Sequence, residues 1–309
     1  MNILTVTLNP CLDKTVRVEK LNISGLSRAE IEKVDFGGKG INVSKILKNF
    51  GTDSISTGIM PMGNSRPVFD YMAKKEIEND YVISNGFLRT NLKVLDLSTN
   101  EITEINEKGP EIEEKYINDF ADKFTRLSAM CEYVVISGSL PRGFSEDFYA
   151  KLVEIASVSS KVILDCDGIQ LKNAIEKKPY MIKPNIYEFS GLMGREYKTD
   201  EEIAEDMLKL NKDIPCIIVS MGEDGAMFCF EGQVIKTTPF EIEFGSSVCA
   251  GDSMVGAMVY AEINDFDFEK TARFATACGT LTASKKGSEV CELQEALENM
   301  DRIKVEKVK

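Results

Sequence analysis

The chain has 309 residues, 43% of them hydrophobic and 28% charged, so it can bury a large core and has the composition of a globular protein. Its formal net charge of −13 repels phosphate backbones and anionic lipid, which makes nucleic acid and membrane surfaces poor partners. The absence of histidine excludes His-dependent catalytic triads and removes the usual ligand set of zinc sites.

Short and nearly continuous apolar runs are typical of strands covered on both faces. They occur at ILTVTL (3–8), YVVIS (133–137), KVILD (161–165), YMIK (180–183) and CIIVS (216–220). Helical periodicity is found at 41–50, 113–130, 145–158, 200–212 and 266–285. This alternation predicts an α/β protein in which a parallel sheet lies between layers of helices.

Two segments depart from this pattern. Residues 14–36 and 87–105 alternate polar and apolar side chains, as strands with one wet face do, which predicts a small β-sheet lid outside the main sheet. The chain shows no repeat and no Pro/Ser-rich linker, so residues 1–309 are predicted to form a single domain with this lid.

The cysteines and the apolar runs bear on the compartment. The eight cysteines form no C-x-x-C pair, so they are expected to be small core residues of a protein in a reducing compartment. The first residues, MNILTVTLNP, carry no basic region before their apolar run and are expected to form a strand and not a signal peptide. No apolar run reaches about 18 residues. We therefore expect a cytoplasmic location.

Ligands of open α/β sheets sit at the carboxyl ends of the strands, so the polar residues after each strand are candidates. After the first strand, Asp13 in NPCLD could accept hydrogen bonds from a polyol, although a plain turn also explains the motif. The glycines of GGKG (37–40) would let the backbone approach a ligand, and Lys39 lies where helix N–H groups already favour an anion. The motif is neither a Walker loop nor a dinucleotide fingerprint.

Three further motifs follow later strands: SGSLP (137–141), KPNIYE (183–188) and SMGEDGA (220–226). Asn185 and Glu188, three residues apart on one helix face, could hold the water shell of a Mg²⁺, although an ordinary solvated helix start explains them as well. The segment 220–226 predicts a turn between two strands, with glycines that could lie against a nucleotide.

The strongest local signal is SVCAGDSMVG at 247–256. The helix that follows, to about residue 263, is apolar on nearly all sides and is therefore predicted to be buried. Asp252 at its head would lie beside free N–H groups of the first turn, which can receive the charge of a transferring phosphoryl group. The carboxylate could then take a proton from an attacking hydroxyl. A simple helix-terminal acid is the alternative.

Six motifs occur in order between residues 9 and 253: N-P-x-x-D, G-G-K-G-x-N-V, S-G-S-L-P, K-P-N-x-x-E, V-S-M-G-x-D-G-A and x-A-G-D-S. Through them the sequence resembles the PfkB (ribokinase-like) family, and within it the branch of 1-phosphofructokinase and tagatose-6-phosphate kinase. The resemblance implies a three-layer α/β/α sandwich with a β lid and the transfer of the ATP γ-phosphoryl group, with Mg²⁺, to a sugar hydroxyl. By the same analogy a homodimer could form through the lids.

The resemblance also implies roles for individual residues. Asp252 would be the base, and the N–H groups of Ala250, Gly251 and Asp252 would form an anion hole. The residues implied for the sugar phosphate are Asp13, Gly38, Lys39, Asn42, Arg89, Asn91, Lys93 and Ser139. Those implied for the nucleotide are Lys183, Asn185, Ser220, Gly222 and Gly225, with Asn185 and Glu188 serving Mg²⁺ through water.

The sequence departs from the family pattern at three places. Cys249 stands where the family has glycine, which would cost about 1–2 kcal/mol if that position has a positive φ. Residues 60–64, MPMGN, replace paired glycines, which puts lid hinging and a few substrate contacts in doubt. Leu88 replaces a threonine before the lid arginine.

Other interpretations remain open at this point. The exact residues of the motifs TLNPxxD, GGKGINVS and GDSMVG are most similar to those of 1-phosphofructokinases. This similarity implies fructose 1-phosphate as acceptor, with tagatose 6-phosphate as the alternative. Asp165 and Asp167 in LDCDG also resemble the D-x-D-G of an aspartate-nucleophile phosphatase, although the motif order is poor. A non-catalytic sugar-phosphate or nucleotide sensor on the same fold is a third reading.

Overall fold

The strands of the computed structural model, which describes residues 2–309, belong to two separate sheets. The larger contains β1 (Ile3–Thr7), β4 (Ile55–Gly63), β5 (Glu78–Phe87), β8 (Tyr133–Ser137), β9 (Lys161–Asp165), β10 (Met181–Ile182), β11 (Cys216–Ser220), β12 (Ala226–Phe230), β13 (Gln233–Thr238) and β14 (Lys304–Lys307). The smaller contains β2 (Cys11–Val18), β3 (Ala29–Gly37), β6 (Arg89–Asp96) and β7 (Glu101–Asn106).

The helices connect these strands along the chain. They are α1 (Lys39–Asn49), α2 (Arg66–Lys74), α3 (Glu114–Ser128), α4 (Phe148–Ala156), α5 (Gly168–Ile175), α6 (Ile186–Met193), α7 (Asp200–Leu210), α8 (Ala250–Ile263), α9 (Phe268–Ala283) and α10 (Leu293–Asn299). None of these helices, within residues 2–309, combines the length and the apolar character needed to cross a bilayer.

The large sheet is mixed and not wholly parallel, which corrects the expectation from the sequence. Its order is β14-β13-β12-β11-β10-β9-β8-β1-β4-β5, and the pairs from β11 to β5 are parallel. The strands β11 to β14 pair antiparallel. The chain reverses at 222–225, where Gly225 has φ 93° and an added Cβ would lie 1.9 Å from the carbonyl oxygen of Thr237. Only glycine fits that turn, and a short hairpin necessarily joins antiparallel strands.

Helices cover both faces of the large sheet, as the burial of every residue of β1 and β8 requires. Leu4 and Val6 of β1 belong to one buried cluster together with Phe120 of α3, whereas Ile3 belongs to a second cluster with Val255 of α8. Successive side chains of a strand point to opposite faces, so two cores on one strand mean two covering layers. The predicted three-layer α/β/α sandwich is confirmed.

The small sheet, ordered β3-β2-β6-β7, contains the polar segments noted in the sequence. Its strands cover 11–18, 29–37, 89–96 and 101–106, so residue 87, expected in this sheet, instead ends β5 of the large one. Leu88, between the two, is buried beside Met60 and donates its backbone N–H to Asn64 Oδ1 at 2.8 Å. The apolar side chain at 88 therefore anchors the crossing from one sheet to the other.

Candidate active site

Polar residues gather where parallel strands of the large sheet end and the small sheet begins. Asn9 follows β1, Ser139 follows β8, and Asp165 ends β9. A cavity of about 350 Å³ lies among them. Its lining residues are Thr7, Asn9, Gly38, Lys39, Arg89, Asn91, Asn106, Ser137, Gly138, Ser139, Cys166 and Asp167. The cavity is therefore bounded by the carboxyl edge of the large sheet on one side and by the small sheet on the other.

The glycine motif places the start of α1 directly against the end of β1. An added Cβ at Gly40 would lie 2.4 Å from the carbonyl oxygen of Val6, and Gly38 has φ 132°. Thr7 Oγ1 accepts the backbone N–H of Ile41 at 2.9 Å, which supplies a partner to a free donor of the first turn. This close packing brings Lys39 to the cavity and Asn42 to the interior.

Asp165 lies between two lysines. Its Oδ1 is 3.1 Å from Lys39 Nζ and 3.4 Å from Lys183 Nζ, and the side chain is 1% exposed. Burial would raise the pKa of Asp165, but Lys183 and Lys39 outweigh it and hold the pKa below its usual value. Its Oδ2 has no hydrogen-bond partner among the described residues. A buried carboxylate thus fixes two cations at the edge of the sheet while keeping one acceptor free.

Asp252 is buried at the first turn of α8, and its exposure is 6%. Asn42 Nδ2 donates to its Oδ2 at 2.7 Å. Burial raises the pKa of Asp252 to about 6, and nearby Asp165 adds to the rise, whereas Lys39, Asn42 and Lys183 oppose it. A carboxylate with a pKa near neutrality is suited to accept a proton at physiological pH.

A lysine ammonium lies beside the first turn of the helix that carries Asp252. Cys249, the residue before α8, has φ 64° in the left-handed region. At Gly251 an added Cβ would come within 3.2 Å of Lys183 Nζ, so this ammonium lies against the first turn of the helix. Free N–H groups of a helix start and an adjacent lysine together form a site for negative charge.

The sugar-side residues converge at the base of the small sheet. Asp13 and Asn91 pair across β2 and β6, and Asn91 Nδ2 donates to Asp13 Oδ1 at 2.9 Å. Arg89 donates to the carbonyl oxygen of Asn9 at 3.2 Å and to Asn91 Oδ1 at 3.3 Å. Asn9 Nδ2 in turn donates to Ser139 Oγ at 3.1 Å. These contacts tie the small sheet to the loops after β1 and β8.

Not every residue of the proposed sugar site lines the cavity. Lys93 lies four residues beyond Arg89 on β6. Its Nζ is 3.3 Å from Oε1 of Glu104 on β7, so its charge is already paired. Asp13, Asn42 and Asp252 do not line the cavity. Asp13 accepts a hydrogen bond from the lining residue Asn91, and Asp252 is close enough to the lining residue Lys39 for its charge to lower the pKa of the carboxyl. The role implied for Lys93 therefore has the least structural support within this group.

On the nucleotide side, Asn185 and Glu188 form a capping box at the start of α6. Asn185 Oδ1 accepts the N–H groups of Tyr187 and Glu188 at 2.9 Å, and Glu188 Oε2 accepts the N–H of Asn185 at 2.8 Å. Residues 2–309 contain no group of three or more acidic or cysteine side chains able to hold a metal. This donor set suits a Mg²⁺ that keeps its waters and binds mainly phosphate oxygens.

The other nucleotide-side residues lie around the same edge. Ser220 ends β11 and forms a bridge with Asn185, and its N–H donates to the carbonyl oxygen of Pro184 at 3.1 Å. Gly222 and Gly225 bracket the tight turn between β11 and β12 with φ of 63° and 93°. The strand–turn–strand geometry expected for 220–226 is present.

Two charged residues of the site escaped the sequence analysis. Asp165 drew notice only through a resemblance to a phosphatase motif, whereas in the structure Lys39, 126 residues away in the chain, and Lys183 both neutralise it. Lys45 of α1 was not singled out in the sequence, yet it is 6% exposed and contacts Asn42. A lysine placed within the apolar period Val43, Ile46, Leu47 was the signal that could have revealed it.

Comparison with known proteins gives one consistent picture. A family model described as "pfkB family carbohydrate kinase" matches residues 6–295. A 1-phosphofructokinase of Borreliella burgdorferi is 32% identical and covers 99% of each chain, and one of Xanthomonas campestris pv. campestris is 34% identical over 89% of this chain and 88% of its own. The fold matches phosphofructokinase-2 from Escherichia coli with a TM-score of 0.91 and 24% identity, covering 97% of this chain and 98% of that one.

Proposed function

The chain belongs to the pfkB family of carbohydrate kinases, and on that premise we propose that it phosphorylates fructose 1-phosphate to fructose 1,6-bisphosphate with ATP. One observation carries the proposal: a buried carboxyl with a pKa of about 6, Asp252, lies at the first turn of α8 near Lys183 and Lys39, and Lys39 lines a cavity that Arg89 also borders. This arrangement has a proton acceptor, a place for negative charge and a cation for an anionic acceptor.

The proposed mechanism requires little covalent work from the protein. Asp252 accepts the proton of the acceptor hydroxyl as its oxygen attacks the γ-phosphorus of ATP, and ADP leaves on the opposite side. The N–H groups of Ala250, Gly251 and Asp252 meet the charge on the equatorial oxygens. Asn42 holds Asp252 in place from the side, at 2.7 Å. General base catalysis of this kind contributes about 10²–10⁴-fold.

ATP would approach from the side of α6, α8 and the 220–226 turn. Lys183, fixed against Asp165 and close to Gly251, is the cation suited to the triphosphate. Mg²⁺ would accompany the nucleotide and supply further charge neutralisation when bound. Glu188 and Asn185 would contact the waters of Mg²⁺ through the lone pairs that their capping-box hydrogen bonds do not use. The Oδ2 of Asp165, which has no hydrogen-bond partner among the described residues, would accept from the same waters.

The acceptor phosphate would be held at the small-sheet end of the cavity. Arg89 offers a planar guanidinium there, which suits bidentate binding of phosphate, and Lys39 lies at the opposite wall. Asp13, Asn91 and Ser139 would receive the sugar hydroxyls between them. The absence of side chains at Gly38 and Gly40 lets the start of α1 pack against the end of β1, which brings Lys39 to the cavity.

Substrate identity is tested by an ADP-release assay across three acceptors. We expect the highest kcat/KM with fructose 1-phosphate, compared with fructose 6-phosphate and tagatose 6-phosphate at matched concentrations. A preference for tagatose 6-phosphate would favour the alternative member of the same branch. ADP release without dependence on any of the three sugars would contradict the proposal, and tight binding without turnover would identify a sensor.

Assembly and compartment follow as further parts of the proposal. On the face of the small sheet opposite Asp13, one row across the four strands consists of Val34, Lys14, Leu92 and Ile105, and its two outer members expose apolar side chains. Val34 is 45% exposed and Ile105 57%. We propose that this face joins two copies of the chain in a homodimer. All eight cysteines are buried and free, which suits the reducing cytoplasm.

A further inference from the structure

Lys45 is a buried cation in the interior of α1. Its exposure is 6%, and no carboxylate lies within ion-pair distance of its ammonium among residues 2–309. Nζ donates to the carbonyl oxygen of Phe36 at 2.5 Å and to Asn42 Oδ1 at 3.2 Å, and it lies 5.1 Å from the ring centre of Tyr71. Burying an ammonium group without an ion pair costs free energy, so a stability role alone is a poor reason for this residue.

The contact with Asn42 has a chemical consequence for the active site. An amide has a donor end and an acceptor end, and rotation by half a turn exchanges them. Lys45 can only donate, so it requires the oxygen of Asn42 on its own side, which leaves Nδ2 pointing to Asp252 Oδ2 at 2.7 Å. In the rotated state the amide oxygen would face the carboxylate and repel it.

We propose that Lys45 is a positioning residue for the catalytic base: it fixes the amide of Asn42, and Asn42 fixes Asp252 in its ionised form. This inference rests on the proposed kinase function. Lys45 itself touches neither substrate nor the reacting atoms in this arrangement. Its action passes through one hydrogen bond to Asn42 and a second from Asn42 to Asp252.

The other contact of Lys45 connects this relay to the small sheet. Phe36 lies near the end of β3, the strand that pairs with β2 and Asp13. The groups around Lys45 are Cys11 and Asp13 on β2, Asp35 on β3 and Cys249 before α8. Burial lowers the pKa of Lys45, and these groups oppose that effect. Only the ammonium form lacks an acceptor, so Lys45 fixes the orientation of the Asn42 amide while it is protonated.

The groups that face Asp252 come from three other segments. Lys39 and Asn42 belong to α1, Asp165 ends β9, and Lys183 follows β10. Asn42 favours the ionised form of Asp252, so losing its correctly oriented N–H raises the pKa of the base. The acidic limb of the kcat profile then moves to higher pH.

The primary test is Lys45→Met, which keeps the length of the side chain and removes the donor. We expect kcat to fall about tenfold, the acidic midpoint of kcat to rise by about 0.5 pH units, and the KM for ATP to stay within about twofold. Lys48→Met is the matched control: it lies on the same helix and pairs with surface Asp53, and it should leave all three quantities unchanged. An unchanged kcat and midpoint in Lys45→Met would overturn the proposal.

A double-mutant cycle separates positioning from general damage. If Lys45 acts through Asn42, adding Lys45→Met to Asn42→Ala lowers kcat no further than Asn42→Ala alone. Additive losses would mean that Lys45 acts by another route. The cycle is measured with whichever acceptor gives the wild type its highest turnover. A wrong assignment of fructose 1-phosphate would therefore show in the wild-type acceptor assay and would not affect the cycle.

A measurement on the unliganded wild-type protein needs neither turnover nor a variant of Lys45. The side-chain amide resonances of Asn42 in ¹⁵N-labelled protein, assigned by their loss in Asn42→Ala, should titrate with the midpoint of Asp252, near pH 6. An amide that does not respond to pH would break the proposed link.

Discussion

Asp252 has to be ionised to act as a base and yet is almost completely removed from water. Two partly opposed sets of groups meet these demands: burial and Asp165 raise its pKa, while Lys39, Asn42 and Lys183 lower it. The balance, at about 6, leaves the group mostly ionised at pH 7.5 while keeping its affinity for a proton higher than that of a surface aspartate.

Replacing Asp252 by asparagine removes the proton acceptor and retains the shape. We expect kcat to fall by about 10²–10⁴-fold, with the Kd for the sugar phosphate changed by no more than a few-fold. Steady-state kinetics and calorimetric binding measure the two effects. The control is Asp53→Asn, the same chemical change at a surface carboxylate that is 84% exposed. A near wild-type rate in Asp252→Asn would remove this residue from catalysis.

The same substitution should stabilise the fold, in a pH-dependent way. A carboxyl whose pKa rises from 3.8 unfolded to about 6 folded destabilises the folded state when ionised, by up to about 3 kcal/mol. This penalty is absent below pH 4, grows through the window from 4 to 6, and is complete above it. Urea unfolding should therefore find Asp252→Asn more stable by about 3 kcal/mol at pH 7.5 and by about 1 kcal/mol at pH 4.5. A constant difference across this range would contradict the pKa assigned to Asp252.

Individual site residues were predictable where a local motif carried them. Asp252 and Lys39 sit in short glycine-containing patterns whose chemistry can be recognised without knowing the fold, whereas the role of Asn42 was implied only by the family resemblance. Asp165 was not predictable in this way, because its role depends on two lysines that only the folded sheet brings to it. Local sequence does not encode which charges meet across a sheet, so the contact of Asp165 with the two lysines could not be predicted.

At the scale of elements, the start of α8 depends on one unusual backbone conformation. Cys249 has φ 64°, which costs a residue with a side chain about 1–2 kcal/mol relative to glycine. The side chain is 5% exposed, so burial of the thiol offsets part of this cost. The sequence comparison identified the position as a departure, and the structure shows the positive φ on which that concern depended.

Two substitutions at Cys249 separate backbone geometry from the thiol. Cys249→Gly relieves the strain but loses a buried group and gains chain entropy when unfolded, so we expect the free energy of unfolding to change by less than about 1 kcal/mol, with kcat preserved. Cys249→Val places a β-branched residue in the left-handed region and should destabilise by more than about 2 kcal/mol and lower kcat. Urea unfolding measures the change in the free energy of unfolding, and steady-state kinetics measures the change in kcat. Equal losses of kcat in both would show that the thiol matters, not the conformation.

The predicted elements followed apolar runs, and the missed ones lacked them. β4 contains Ser56 and Thr57, both buried, so it shows no continuous hydrophobic pattern. Their hydroxyls are satisfied across the sheet: Ser56 Oγ lies 2.7 Å from Tyr81 Oη, and Thr57 Oγ1 donates to the carbonyl oxygen of Asp80 at 2.6 Å. Hydrophobic periodicity detects only strands that bury apolar side chains. It therefore does not detect a strand whose buried side chains are polar and form hydrogen bonds inside the protein.

At the scale of the whole molecule, the distribution of charge affects the binding of anionic substrates more than the net charge does. A net charge of −13 disfavours anionic substrates at long range, yet Lys39, Lys183 and Arg89 lie at the one edge where phosphates would bind. Interactions beyond about 8 Å are screened at physiological ionic strength, so the local cations dominate within the cavity. The acidic surface then serves solubility, and it discourages binding to nucleic acid.

The proposed homodimer is a property of the whole molecule that one face of the small sheet should control. Ile105 pairs with Leu92 on the apolar face, whereas Ile102, three residues earlier in β7, pairs with Leu95 on the opposite face. Their exposures are matched, at 57% and 58%. A lysine at position 105 would bury an unpaired charge in the contact between two copies, while a lysine at 102 would remain in water.

Light scattering after gel filtration measures the outcome. At tens of micromolar we expect the wild type and Ile102→Lys at about twice the chain mass of 34.4 kDa, and Ile105→Lys at the single-chain mass. Because the small sheet also borders the cavity through Arg89 and Asn91, separation of the copies should raise the KM for the sugar phosphate more than the KM for ATP. A monomeric wild type, or dissociation by both lysine substitutions alike, would show that this face does not form the contact.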